Sequence, residues 1–565
     1  MDLLQIVVVL AIAVILAIPM AKYLTNVYSL ELTKQDRVFG RMERFILKLS
    51  GIKTEDMKWQ QYAKSLLMSN LVMFIVSYII IRFQGELPGN PNKIVNMEPL
   101  LALNTAASFL TNTNLQHYSG ESGLSYLSQM AVIVFLMFTT PATGIALCMA
   151  FFRGLTGQRS LGNFYVDLIR TITRVLLPLS ILIGLVLVSQ GVPQTFSPTA
   201  VATTLEGSTQ NIARGPVAAM ESIKHIGTNG GGFFGVNSAH PFENPNAITN
   251  VIEILSMFLI PAALPLTFGY MARNKKQGWI LFSAMAFMLL LFLSIAYFNE
   301  KNGNPALEQI GLSQEDGSME GKEVRFGVAQ SALFTSITTA ATTGSVNNMH
   351  DTLTPLGSIA PLAMMMVNCI FGGDGVGTVN ILMYSILAVF LAGLMVGRTP
   401  EFLGKKIEGS EMKLIAIAIL LHPLIILVPS AIALATQMGS AAISNPGFHG
   451  ITQVVYEFTS SAANNGSGFE GLGDNTHFWN VSTGLVMLFG RYFSMIAMIA
   501  VAGSLLVKKR VPETIGTFKT DNGTFLVILL ASVLIIGALT FFPIIALGPV
   551  AEWLTMINVE KGHFK

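Results

Sequence analysis

Charge is what this sequence has least of. Lys, Arg, Asp and Glu make up 12% of 565 residues, 34 basic against 32 acidic, where soluble domains carry about 25%. A soluble chain of this length would lack the ionic groups to cover its surface. Disorder is excluded by the opposite excess, because 52% of the residues are apolar and disordered chains are poor in them. A net charge of +2 leaves no electrostatic basis for binding nucleic acid with the whole chain. The two cysteines, Cys148 and Cys369, lie far apart in apolar runs. Two cysteines make neither a disulfide framework nor a thiolate metal cluster, and they read as buried small hydrophobes. What remains is a polytopic helical membrane protein.

About 20 apolar residues cross the hydrocarbon core. Ten stretches qualify: roughly 3–24, 62–82, 127–151, 172–190, 251–272, 278–298, 376–397, 412–436, 482–507 and 523–547. The first lacks the basic flank and small-residue cleavage site of a signal peptide and reads as a retained span. A further apolar stretch, 355–371, is broken by Pro355, Pro361, Gly372 and Gly373 and reads as buried but non-spanning. Basic residues collect in alternate loops: 34–58, 153–170, 273–276, 398–406 and 508–519, while 437–481 holds no Lys or Arg. The positive-inside rule places the basic loops in the cytoplasm, both termini outside, and the long uncharged loops outside.

Those uncharged loops carry four similar clusters: SFLTNTNLQ (108–116), HIGTNGGGF (225–233), TAATTGSVN (339–347) and SAANNGSGF (461–469). With Thr111, Thr228, Thr342 and Asn464 taken as equivalent, the spacings are 117, 114 and 122 residues. Each cluster sits between two spans and follows about ten residues rich in Ala, Ser and Thr that read as a short helix. Seven residues before each anchor stand Asn104, Glu221, Thr335 and Glu457, polar in all four copies. The expected fold is therefore all-α: ten transmembrane helices with four pseudo-repeats of span, re-entrant pore loop and span around a central filter. An extra N-terminal span (1–30) and a cytoplasmic basic loop (31–61) precede the repeats. Those occupy 62–151, 172–272, 278–397 (with a broken second helix) and 412–507, and a C-terminal span (523–547) follows.

Four loops of Thr, Asn, Gly and Ser around one axis have the chemistry of a filter for a large monovalent cation, whose hydration shell is replaced by carbonyl and hydroxyl oxygens. Gly turns carbonyls inward from φ values other residues avoid, and a short helix ending there aims its negative pole at the ion. No ring of Asp or Glu lies within the clusters, which argues against hard divalent ions. Taken singly, any such cluster also reads as a plain turn. Arg491 lies inside the ninth span, where a charge faces either a cavity or partner, as a block to free cation flow, or snorkels to the interface. The run Gly372–Gly373–Asp374–Gly375 reads as either a gate in a broken helix or an ordinary loop. Glu253, Glu470, His225, His240, His350 and Asp351 show no metal-ligand spacing and read as ordinary polar contacts.

The chain has no GxxxxGK[ST] phosphate loop, no DKTGT phosphorylation sequence and no cytoplasmic loop long enough for a nucleotide-binding domain. It does not hydrolyse ATP unaided. The segments TNTNLQ, GTNGGGFFGVNSAHPFENP, ATTGSVNNMHD and AANNGSGFEGLGDNT, with NEKNGNP after the sixth span, resemble those of the KdpA family, the potassium-binding subunits of Kdp potassium-transporting ATPases. The resemblance runs along essentially the whole chain. It implies the wider superfamily of Trk, Ktr and HKT potassium transporters, K⁺ as the transported ion and no organic cofactor. It also implies a prokaryotic plasma-membrane complex with a P-type ATPase subunit (KdpB-like), which alone carries ATP and Mg²⁺, and two single-span subunits (KdpC-like and KdpF-like). K⁺ would enter the filter and pass through a tunnel to the ATPase subunit.

By the same resemblance the filter is Thr111, Asn112, Thr113 and Asn114; Thr228, Asn229 and Gly230; Thr342, Thr343 and Gly344; and Asn464, Asn465 and Gly466. Gln116, Gly231, Ser345 and Ser467 support it, and Arg491, Arg398, Gly372 and Gly373 belong to the pathway or its gate. Leu115 and Thr343 depart from residues found in some members. Two other readings stay open from sequence: a stand-alone Trk/Ktr-like channel or ion-coupled transporter, and a membrane-embedded transferase, for which no acid/base constellation is visible.

Overall fold

The computed structural model describes residues 2–31, 33–395, 397, 399–512 and 518–560. Along the chain run α1 (Asp2–Val27), α2 (Lys34–Leu49), α3 (Trp59–Arg82), α4 (Pro99–Leu110), α5 (Tyr126–Thr156) and α6 (Phe164–Ser189). After a hairpin of β1 (Ala200–Thr203) and β2 (Thr209–Ile212) come α7 (Val217–Ile226), α8 (Ala247–Met271), α9 (Lys275–Lys301) and α10 (Gly327–Ala340). Then follow α11 (Ile359–Val367), α12 (Val376–Met395) and a small hairpin of β3 (Glu401–Phe402) and β4 (Lys405–Lys406). Next come α13 (Gly409–Ala435), α14 (Phe448–Ala463), α15 (His477–Val507) and α16 (Gly523–Ile545), and a last helix, Ala551–Glu560, closes the described chain.

Ten of these, α1, α3, α5, α6, α8, α9, α12, α13, α15 and α16, are long and apolar enough to cross a membrane. The expected ten spans are present, with bounds within about five residues of the sequence reading except that α6 starts eight residues early, at Phe164. The 355–371 stretch is a short buried helix, α11, ended by Asn368 in the left-handed region. Its continuation α12 begins only after the glycine run. Four helices too short or too polar to span, α4, α7, α10 and α14, each precede one of the four clusters. The first of them has a defined start: Pro99 opens α4, and the Glu98 carboxylate accepts the Leu101 N–H at 2.7 Å. Asn163, Asn246 and Thr476 cap α6, α8 and α15 in the same way.

One expectation needs correction. The segment 31–61 is not simply a basic loop, because it contains the 16-residue helix α2. Basic residues masked an apolar stripe, and the helix is held by a buried acid: the Arg174 guanidinium of α6 donates to Glu43 at 2.5 and 2.6 Å and to Asp36 at 2.9 Å. The architecture is the expected all-helical one, with two short hairpins confined to connecting segments.

The most buried span is α5, which packs against α15, α4, α6, α8 and α12 and forms the centre of the bundle. At its end Arg153, 1% exposed, donates to Asp167 of α6 at 2.6 and 2.9 Å and to the carbonyl oxygens of Leu161 and Tyr28. Tyr62 of α3 donates to the same carboxylate at 3.2 Å. One ion pair thus fastens four segments of the chain. Removing one partner of a buried pair leaves an uncompensated charge costing about 3–5 kcal/mol. Asp167→Ala should therefore lower the thermal unfolding midpoint of the purified protein clearly. Lys301→Ala, at the exposed Lys301–Asp2 pair, should shift it within error. Equal shifts would refute the role given to Arg153.

Candidate functional site

The four clusters begin where α4, α7, α10 and α14 end. Each chain turns there through a residue in the left-handed region: Asn112 (φ 62), Thr228 (φ 47), Thr342 (φ 44) and Asn464 (φ 54). The next residue sends its N–H back five positions, Thr113 to Ser108, Asn229 to Lys224, Thr343 to Thr338 and Asn465 to Ser460, at 2.8 to 3.0 Å. This is the Schellman closure of a helix C-terminus. Two residues past the first turn the chain is left-handed again, at Asn114 (φ 57), Gly230 (φ 95), Gly344 (φ 89) and Gly466 (φ 102).

The backbone therefore corrects the register of the first cluster by one residue. Asn112, not Thr111, corresponds to Thr228, Thr342 and Asn464, because matching residue types had aligned threonine with threonine. Thr105 then replaces Asn104 at the polar position of the short helix. Asn104 instead donates to the Asn480 carbonyl and Thr483 hydroxyl of α15. A β-branched residue at positive φ is a conformational outlier, and two of the four turns carry one.

The four segments close on one another in chain order. A Cβ on Gly230 would collide with the Thr343 carbonyl oxygen, one on Gly344 with that of Asn465, and one on Gly466 with that of Thr113. Between the first and second segments the Asn112 amide donates to the Thr228 carbonyl at 2.9 Å. Gln116 accepts from the Gly232 N–H at 2.8 Å and donates to its carbonyl at 3.1 Å. Gly231 packs on Phe109 and Asn114. Ser345 shares hydrogen bonds with His225 and Ser238, linking second and third. The Asn465 amide reaches the Thr338 carbonyl at 2.9 Å, and the Asn464 amide reaches the Thr113 hydroxyl at 2.9 Å, linking fourth to third and fourth to first. Ser467 bonds to Asn465 and Tyr456. These turn residues are buried except Gln116 and Gly466, which are partly exposed. The arrangement brings together neutral oxygens of four separate segments, with the Asn114 amide left without a protein partner.

The glycine run between α11 and α12 lies directly against this group. The Gly373 N–H donates to the Thr342 hydroxyl at 2.5 Å and the Asp374 N–H to the Thr228 hydroxyl at 3.0 Å. Gly372 (φ 63) donates to the Ala340 carbonyl. Arg491, 6% exposed, donates to the Thr140 carbonyl of α5 at 3.2 Å. A Cβ on Gly144 would lie 2.5 Å from the Asp374 carbonyl oxygen and 3.0 Å from Nη2 of Arg491. Arg491 therefore points into the bundle beside the glycine run, and the snorkelling reading is set aside. Arg398 lies outside the described residues.

Sequence reasoning missed the polar braces behind the turns. Lys224 is fully buried and donates to Glu221, Glu243 and Asn237 at 2.7 to 3.0 Å. His225 and Glu253, read as unrelated contacts, meet at 3.4 Å, with Glu221 beside them. His350 bonds to Tyr456 and Thr335. Burial, reinforced by the nearby Lys322 charge, drops its pKa to about 3, so it is neutral at any physiological pH. The Glu470 carboxylate accepts the N–H groups of His350 and Asp351. The signal available in sequence was a polar residue seven positions ahead of each turn; of these, Glu457 finds its partner, His117, in a distant segment.

Ten apolar spans around four inward-turned, oxygen-rich segments define a polytopic helical membrane protein with a central loop-built site. Residues 7–554 match the family described as "Potassium-transporting ATPase A subunit", KdpA. The chain belongs to that family. It is 62% identical over 545 residues to the "Potassium-transporting ATPase potassium-binding subunit" of Geobacillus kaustophilus (strain HTA426), covering 96% of this chain and 97% of that one. Its fold resembles the crystal structure of the potassium transporter TrkH from Vibrio parahaemolyticus, with TM-score 0.52, 17% identity, and coverage of 78% and 84% of the two chains.

The close approach of the loops is testable by stability alone. Gly207 (φ 83) has open space around it, whereas Gly230 has backbone atoms of a neighbouring segment where a Cβ would sit. Gly207→Ala should cost only the left-handed penalty, about 1–2 kcal/mol. Gly230→Ala should add an overpacking cost of about 1–3 kcal/mol and unfold at a measurably lower temperature. Equal midpoints would show that the segments are not in contact.

Proposed function

We propose that the four turn segments form a selectivity filter that binds K⁺, and that the chain passes this ion on as the non-catalytic subunit of an ATP-driven importer. The single observation that carries this reading is the mutual contact of Gly230 with Thr343, Gly344 with Asn465 and Gly466 with Thr113. Each contact sets a carbonyl oxygen of one segment against a glycine of another, with no carboxylate among these residues, which supports a shared centre. Neutral oxygens in a ring suit a weakly hydrated monovalent cation. The curated relative is named as potassium-binding, and membership of the family supports the same assignment here.

In this reading the filter is Thr111 to Asn114, Thr228 to Gly230, Thr342 to Gly344 and Asn464 to Gly466, with Gln116, Gly231, Ser345 and Ser467 as its braces. The Gly372–Gly373 run and Arg491 close the path beneath it. A cavity of about 70 Å³ beside the α11–α12 break, lined by Asn368, Asn380, His422, Asn464 and Ser494 among others, supports a lateral exit. A P-type ATPase subunit (KdpB-like) would receive the ion there and carry ATP and Mg²⁺. KdpC-like and KdpF-like single-span subunits would complete the complex in a prokaryotic plasma membrane. The basic loops would lie in the cytoplasm, with the filter opening outward.

Copurification with its complex should yield K⁺-stimulated ATP hydrolysis. Gly230→Asp should raise the K⁺ concentration for half-stimulation about tenfold or more and weaken discrimination against Na⁺ and Rb⁺. Arg491→Gln should raise passive K⁺ leak through the complex in proteoliposomes. Wild-type affinity and selectivity in the first variant would defeat the filter assignment, and unchanged leak and affinity in the second would remove Arg491 from the pathway.

A further inference from the structure

His117 stands three residues beyond Asn114 and its side chain is fully buried. Its Nδ1 lies 2.7 Å from Oδ1 of Asn480. The Asn480 amide nitrogen is committed elsewhere, donating to Asn475, so the oxygen accepts and Nδ1 carries the ring hydrogen. Nε2 is then left facing two carboxylates, Glu457 Oε1 at 3.3 Å and Asp474 Oδ2 at 3.8 Å. Glu457 belongs to α14, is 1% exposed, and its second oxygen has no hydrogen-bond partner. Among the described residues neither carboxylate has a Lys or Arg within ion-pair distance. The second buried acid–histidine group differs on this point, because Lys224 already occupies Glu221 there.

We propose that His117, Glu457 and Asp474 form a binding site for a divalent borderline metal cation of the Zn²⁺ type. Metal–nitrogen and metal–oxygen bonds of about 2.0–2.2 Å in a tetrahedron place ligand atoms about 3.3–3.6 Å apart. Of the two separations from Nε2, 3.3 Å falls at the lower end of that range and 3.8 Å lies just above it, and the three ligand atoms are all within 4.8 Å of one another. The ring nitrogen away from the site is tied to an amide oxygen, which is how metal-bound imidazoles are oriented. Two carboxylates and a neutral imidazole carry a formal charge of −2, which a divalent ion cancels. Glu457 is sealed in, but the Asp474 side chain is 26% exposed, giving the site an opening to water on the face of the long uncharged loops. An ion there would bridge the loop after the first turn to the helix before the fourth. Its occupancy would stiffen the filter rim and slow K⁺ access, a consequence that rests on the function proposed above.

The test separates the two. The complete complex, stripped of metal with chelator, is titrated with Zn²⁺ by calorimetry, and retained metal is counted by X-ray fluorescence. The expected result is one tightly held Zn²⁺ per chain, with affinity about tenfold or more lower in Asp474→Asn and binding lost in His117→Gln. Absence of stoichiometric Zn²⁺ in the wild type, as a site occupied only by a proton would give, overturns the proposal. Equal retention by wild type and Asp474→Asn does so too; this variant changes a partly exposed group, so its folding is secure enough for the comparison. Zn²⁺ bound at this site without any change in K⁺-stimulated hydrolysis would refute the regulatory consequence alone.

Discussion

Backbone that is neither helix nor strand survives at membrane depth only where protein or a water-filled path satisfies its polar groups. Four segments of this chain break that way, and much of the structure answers to them. Each ends a helix with a Schellman turn, which ties one N–H back into the helix, and then turns left-handed a second time. What the segments do not satisfy themselves is supplied by their neighbours: the Asn112 amide for Thr228, the Gln116 amide for Gly232, and the Asn465 amide for Thr338. Close contact leaves no room for side chains at Gly230, Gly344 and Gly466.

The same constraint explains the charges that the membrane would otherwise reject. Lys224 is buried only because two carboxylates and an amide surround it. Arg153 is buried with Asp167 and two carbonyl oxygens, and Arg174 with Glu43 and Asp36. These pairs sit around the bundle as fasteners, while the centre keeps neutral oxygens. Arg491 has no such partner: no carboxylate lies within ion-pair distance among the described residues, its bond is to a carbonyl, and it stands beside the glycine run that touches Thr228 and Thr342.

Much of this was legible in the sequence. Ten apolar stretches gave ten long helices because hydrocarbon thickness fixes their length, and the broken 355–371 stretch gave a short buried helix because Asn368 and the glycines stop it. The polar clusters marked the turns correctly. Their register did not follow from composition, since Thr111 matches Thr228 by type whereas the left-handed residue is Asn112. The helix Lys34–Leu49 was hidden by its basic residues, and only its docking on Arg174 explains the burial of Glu43.

The sequence by itself determined the solvent, the number of crossings and the neutral chemistry of the four clusters, because those depend on composition and on spacing along the chain. The tertiary structure alone decided which distant residues meet. His117 lies 340 positions from Glu457, His225 lies 120 from Ser345, and Asp374 lies 146 from Thr228. Such pairings arise when separate helices pack around one centre, and nothing in local periodicity encodes which polar group will face which.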